Sequence, residues 1–240
     1  MSPLSKLGFA VVRAGRTFRR TGFGGVYRGV WNGVAGLLFD LYHGVDTDAL
    51  WTRYSLPEGY EGAWGYGPAK MLDLKQVLRC LGEIRPEQFI FFDVGSGKGR
   101  TLLVVSSLPF RKLIGIEISP ELHALGVANL AKFRGGTRKC LDIVTHCADS
   151  TIFPLPADNT VFFLYNPFKP PVMERFLAHL RASLLEHPRE VYILYLKPLY
   201  HDMLANTGWL TPLEKSNQLA VYRYVECEAV GSAKGIRTPI

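Results

Sequence analysis

Cysteine is scarce in this chain and arranged to hold nothing. Cys80, Cys140, Cys147 and Cys227 are the only four in 240 residues, and no two of them stand as a C-x-x-C pair. The six histidines are dispersed, so neither a disulfide framework nor metal-ligand spacing emerges, and reduced thiols in a cytoplasmic protein are the expectation. Long apolar runs are also lacking. None nears the ~20 residues of a spanning helix, and Arg13 interrupts the stretch that would otherwise pass for a signal peptide. No internal repeat is visible. Acid is missing from the start of the chain: Lys6, Arg13, Arg16, Arg19, Arg20 and Arg28 all precede Asp40, giving +6 of the net +7. The remainder is nearly neutral, which speaks against a broad basic face for nucleic acid. The charge sits in an arm, residues 1–30, suited to peripheral contact with anionic membrane, RNA or an acidic partner, or else simply a solvated helix face.

What is present is a glycine-rich loop in a strand-to-helix setting. Phe89-Ile-Phe-Phe-Asp-Val94 reads as a parallel strand covered on both faces, and Gly95, Ser96, Gly97 and Gly99 follow at the spacing of a tight turn beneath a ligand. Thr101 to Leu108 reads as the helix that follows, its first N–H groups facing whatever lies over the glycines. A dinucleotide fingerprint counted from Gly95 requires Gly or Ala where Arg100 stands. The phosphate-loop pattern requires Ser or Thr where Gly99 follows Lys98. What remains is D-x-G-x-G-x-G, with Asp93 at the strand end.

Other strand ends carry polar groups too. Lys112 to Glu117 is a second strand ending in an acid eighteen residues beyond Gly99, which taken alone reads as a solvated strand-end charge and in a βαβ unit as the acceptor of two ribose hydroxyls. Asp142 to Ala148 runs into Asp149 and Ser150, a pair that reads either as an adenine contact or as a turn or helix cap. Thr160 to Phe168 is a fourth buried strand stopping at Asn166-Pro167-Phe168. Helix-like Val172 to Leu185, strand Val191 to Leu196, a short helix near Tyr200 to Ala205 and Leu219 to Val225 complete a strand–helix alternation typical of a doubly wound sheet. The absence of a long crossover helix after Trp209 predicts an antiparallel hairpin at the close.

Asp93, the alternating glycines and Glu117 together resemble the first motifs of class I S-adenosylmethionine-dependent methyltransferases. The resemblance covers about residues 70 to 225 and implies a Rossmann-like α/β fold with a mostly parallel, seven-stranded sheet and a helical N-terminal extension. It implies S-adenosyl-L-methionine as cofactor: the loop approaches its methionine part with Asp93, Glu117 takes the ribose and Asp149 the adenine amine. Asn166-Pro167-Phe168 resembles the N-P-P-Y/F signature of amino-group methyltransferases with one proline missing. Asn166 is then the catalytic candidate, holding an acceptor nitrogen, and Pro167 and Phe168 contact substrate. Phe39-Asp-Leu-Tyr-His-Gly-Val-Asp-Thr47 and Tyr66-Gly-Pro68 are similar to a bacterial branch of these enzymes whose tyrosine segment runs Y-E-P-T-P. Gly67, Ala69 and Lys70 depart from it, leaving Tyr66 as a lid candidate or an ordinary half-buried turn residue.

The expected organisation is a basic extension and cofactor-covering segment (1–69), a methyltransferase domain (70–230) and a loose tail (231–240). The expected activity is methyl transfer to nitrogen of a protein side chain or small molecule. A noncatalytic cofactor-binding module, a small-molecule O-methyltransferase and, disfavoured by Arg100, a nicotinamide oxidoreductase are the rivals.

Overall fold

A computed structural model describes Tyr27 and residues 29–48, 66–81 and 84–224. Most of the basic arm, the tail and Cys227 lie outside the described residues. Helix α1 runs over residues 29–43, and α2 is Met71–Leu81. Thereafter the order is β1 (Ile90–Val94), α3 (Arg100–Val105), β2 (Lys112–Glu117), α4 (Pro120–Lys132), β3 (Ile143–Cys147) and β4 (Thr160–Leu164). It continues through α5 (Pro170–Glu186), β5 (Val191–Leu196), α6 (His201–Ala205), β6 (Thr211–Lys215) and β7 (Leu219–Tyr224).

The strands form one sheet in the order β3-β2-β1-β4-β5-β7-β6. The first five are mutually parallel, and β7 pairs antiparallel with both β5 and β6. This is the mostly parallel, seven-stranded sheet with a closing antiparallel hairpin that the sequence led one to expect. The chain reverses its direction of winding between β1 and β4, and in open α/β sheets ligands bind at the carboxyl ends of the strands beside such a point.

Alternation of side chains divides the core in two. Ile90, Phe92 and Val94 of β1 pack with Phe162 and Leu164 of β4 against Val172, Met173, Phe176 and Leu180 of α5. Phe91, Val161 and Phe163 point the other way, toward Leu74 and Val77 of α2 and Leu102 and Val105 of α3. With both faces covered, every residue of β1 and β4 is buried, which is why these strands read as continuous apolar runs. Strand β6 is exposed throughout and carries Pro212, tolerable on an edge because no second neighbour needs its N–H.

Several bounds differ from the sequence expectation. Helix α3 is shorter than Thr101–Leu108. Helix α5 begins at Pro170, where a proline needs no N–H partner. Strand β4 stops at Leu164, because Asn166 turns into the left-handed region at φ +47.

Candidate functional site at the carboxyl end of the sheet

The loop after β1 bends through three left-handed glycines, Gly95 (φ +76), Gly97 (φ +53) and Gly99 (φ +82), a conformation costly for residues with a Cβ. The N–H groups of Gly95 and Ser96 both donate to the Ile116 carbonyl at 2.9 Å, lashing the loop to β2. Glu117 completes the lashing. Its Oε2 accepts from the Gly97 N–H at 2.8 Å and its Oε1 from the Ser119 N–H at 2.9 Å. Helix α4 passes close beneath: a Cβ on Gly126 would lie 2.9 Å from the Gly97 carbonyl oxygen. Above, a Cβ on Gly97 would overlap the ring of Tyr66, so this tyrosine lies directly over the loop. Its hydroxyl donates to the Thr47 carbonyl at 3.0 Å, and burial holds the phenol well above its usual pKa.

Two buried carboxyl groups stand at the ends of adjacent strands. Asp93 is 2% exposed, and its Oδ2 has no hydrogen-bond partner among the described residues. Burial, reinforced by the charge of Glu117, pushes its pKa up to about 8. Burial also raises Glu117, opposed by the N–H groups it accepts from.

Asp93, Glu117, Gly95, Ser96 and Tyr66 line one cleft of about 850 Å³, its open mouth included, together with Pro167 and Phe168. Asn166 also borders the cleft, but its carboxamide is committed to the corner between β4 and β5. Nδ2 donates to the Lys197 carbonyl at 2.9 Å, while Oδ1 accepts from the Tyr195 hydroxyl at 2.8 Å and the Leu199 N–H at 3.4 Å. The expectation that its side-chain oxygen holds an acceptor amine therefore meets an oxygen with both lone pairs engaged. Phe168 is largely a core residue, its ring centroid 5.4 Å from that of Phe176.

Asp149 does not border the cleft as the adenine contact expected of it would, although its neighbours Ala148 and Ser150 do. Its Oδ1 accepts from the Thr151 N–H at 2.8 Å and its carbonyl from the Phe153 N–H at 3.0 Å, the turn-capping geometry of an Asp-Ser pair. Gly97 and Gly99 shape the loop rather than the wall.

Sequence reasoning missed a set of charges that flanks the loop. Lys98, 1% exposed, donates to the Asp48 carbonyl at 2.7 Å and to Asp46 Oδ1 at 3.3 Å. Arg100 donates through Nε to Thr47 Oγ1 at 2.6 Å, with its Nη2 3.7 Å from Asp40 Oδ2 and 3.8 Å from Asp48 Oδ2. Asp40 accepts from the N–H groups of Thr47 and Asp48, at 2.9 and 3.1 Å. Asn129 of α4 closes the set, its Nδ2 donating to the carbonyls of Asp46 (2.9 Å) and Lys98 (3.0 Å). Segment 40–48 is thus bolted to the glycine loop. The signal for it was present in two cations within the loop, Lys98 and Arg100, and three acids within 40–48.

Among the described residues no cluster of His, Cys, Asp or Glu could hold a metal, and no helix is long and apolar enough to cross a membrane. No protein-family model matches the sequence, and no curated protein matches it either. Solved structures do. The 23S rRNA methyltransferase ErmE matches with a TM-score of 0.47 at 14% identity, over 69% of this chain and 72% of that one. The magnesium protoporphyrin IX methyltransferase of Synechocystis PCC 6803, with S-adenosylmethionine bound, matches with a TM-score of 0.48 at 12% identity, over 68% and 87%. An RNA methyltransferase from Salinibacter ruber, in complex with S-adenosyl-L-homocysteine, matches with a TM-score of 0.40 at 18% identity, over 70% and 99%. At these identities the likeness is one of fold.

Proposed function

We propose that the chain is an S-adenosylmethionine-dependent methyltransferase acting on nitrogen of a protein side chain or small molecule. The observation that carries this reading is the pair Asp93 and Glu117, buried at the ends of neighbouring parallel strands on either side of a left-handed glycine loop. The orphaned Oδ2 of Asp93 supports it further. A buried carboxyl without a partner is costly, and a cationic ligand group beside it repays that cost.

The residues fit the cofactor. Asp93 ionises against a positive group on the methionine part, and the remaining lone pairs of Glu117 accept ribose hydroxyls while its N–H partners keep it oriented. Tyr66 covers the loop and excludes water from above. When bound, the cofactor supplies a methyl group already activated on a sulfonium, so positioning is most of what the protein contributes. Tyr165, Pro167 and Phe168 shape the wall where an acceptor would enter. Asn166 serves this wall as a positioning residue: its left-handed backbone and its three hydrogen bonds fix the corner on which Pro167 and Phe168 stand.

The engaged Asn166 carboxamide also lends weight to a second reading, in which the acceptor atom is oxygen of a small molecule or the protein binds cofactor without transfer. One experiment separates these. Cell extract is incubated with the protein and methyl-labelled cofactor, and labelled products are identified by mass spectrometry, with calorimetry against NAD as the cofactor control. Label on nitrogen supports the proposal. Label on oxygen, or tight binding with no label transferred, supports the second reading, and NAD binding overturns both.

A further inference from the structure

Helix α1 is apolar on the side that the protein does not cover. The side facing the protein mixes polar and aromatic groups: Asn32 Oδ1 accepts from the Leu72 N–H at 3.3 Å, a Cβ on Gly36 would touch the Arg100 guanidinium at 3.3 Å, Asp40 holds Thr47, and the rings of Phe39 and His43 lie 6.2 and 4.4 Å from that of Phe133. The side facing out is apolar. Val30, Trp31, Val34, Leu37, Leu38 and Leu41 recur at three- and four-residue intervals and are each between 40% and 69% exposed. Asp40 is the only charged residue in 29–43, and it is buried, so the outward stripe carries no charge along about 22 Å of helix. Contiguous apolar surface of this kind marks an interaction site.

Charge identifies the occupant. The sequence leading into the helix holds six cations and no acid. Pairing with a second copy would bring two such sets together and be opposed by their repulsion, whereas anionic headgroups attract them. Trp31, flanked by Tyr27 (68% exposed) and Tyr42 (70% exposed), supplies the amphipathic rings favoured at headgroup depth. We infer that the outward face of α1 docks in plane on an anionic lipid surface, whose headgroups attract the six cations of the preceding sequence. Gly36 abuts Arg100, which borders the cleft, so docking sets the cleft about one helix diameter, ~10 Å, from the lipid.

The full chain is tested by sedimentation with vesicles of phosphatidylcholine alone or mixed with phosphatidylglycerol, across a salt series. Wild type is expected to sediment with the mixed vesicles and to release partly as salt rises, the apolar contact persisting. The double variant Leu38→Asp/Leu41→Asp, at positions 59% and 69% exposed, is expected to keep its circular dichroism and melting temperature and to lose vesicle affinity by about tenfold or more. Failure of wild type to bind mixed vesicles overturns the inference, whatever the variant does. So does equal binding by a folded variant, or a wild-type dimer that the double substitution dissociates while vesicle binding is unchanged.

Discussion

Replacing Asp93 by Asn should make the free protein more stable and the cofactor complex weaker. The Asp93 pKa is about 8 in the folded protein against 3.8 ordinarily, so between those values the folded chain retains a proton that the unfolded chain has released. The raised value favours the fold at low pH, and that favour drains away as pH rises from about 4 through about 8. At pH 7 the gap is roughly three units, and at 1.36 kcal/mol per unit the wild type gives up on the order of 4 kcal/mol. Asn keeps the shape and does not titrate. Urea unfolding at fixed salt should therefore show Asp93→Asn gaining on wild type as pH rises, with the two curves converging near pH ~4. Cofactor binding should do the reverse. A cationic ligand pulls Asp93 into its charged form, so wild type should release up to one proton on binding at neutral pH, read by calorimetry in buffers of different ionisation enthalpy, and Asp93→Asn should release none and bind at least about tenfold more weakly. Parallel stability curves for the two proteins across this window would refute the reasoning.

Gly97→Ala places a Cβ in the ring of Tyr66 at φ +53, and should lower thermal stability by about 2–3 kcal/mol; adding Tyr66→Ala should recover the part due to overlap, and full recovery would show that backbone strain plays no role. Glu117→Ala removes the acceptor of the Gly97 and Ser119 N–H groups along with the proposed ribose contact, so calorimetry should show cofactor affinity falling about tenfold or more, ~1.5–3 kcal/mol; a folded variant with unchanged affinity contradicts this. Asn166→Ala should leave cofactor affinity intact, cost about 1–3 kcal/mol of stability through the stranded Tyr195 hydroxyl and Lys197 carbonyl, and slow transfer about a hundredfold, ~2.7 kcal/mol; transfer at the wild-type rate would remove Asn166 from the positioning set.

The sheet was legible in the sequence where burial on both faces made it so. Lys112–Glu117 and Val191–Leu196 have the bounds their apolar runs suggested, and Asp93, Gly95 and Glu117 border one cleft. The end of β4 was not legible, because an apolar run does not show where one residue turns left-handed, as Asn166 does. Strand β6 gives no period-two signal, since all five of its residues are exposed. Asp149 has the same local sequence whether it binds a ligand or caps a turn, and only the position of its carboxylate relative to the cleft distinguishes them. The contacts of Lys98 and Arg100 reach back some fifty residues to Asp48 and Thr47, and no local pattern encodes such a pairing.

Those contacts bear on how the chain can be cut and exchanged. Residues 40–48 read as part of an appendage, yet they supply the groups that let two cations sit buried in the glycine loop. Replacing Asp40 and Asp48 by Asn, with the segment still covering the loop, would leave Arg100 buried beside neutral partners, a change of the kind that costs several kcal/mol. The segment and the loop are therefore heritable only as a pair. Grafting this loop into another sheet of the same fold would require the matching Asp40, Thr47 and Asp48.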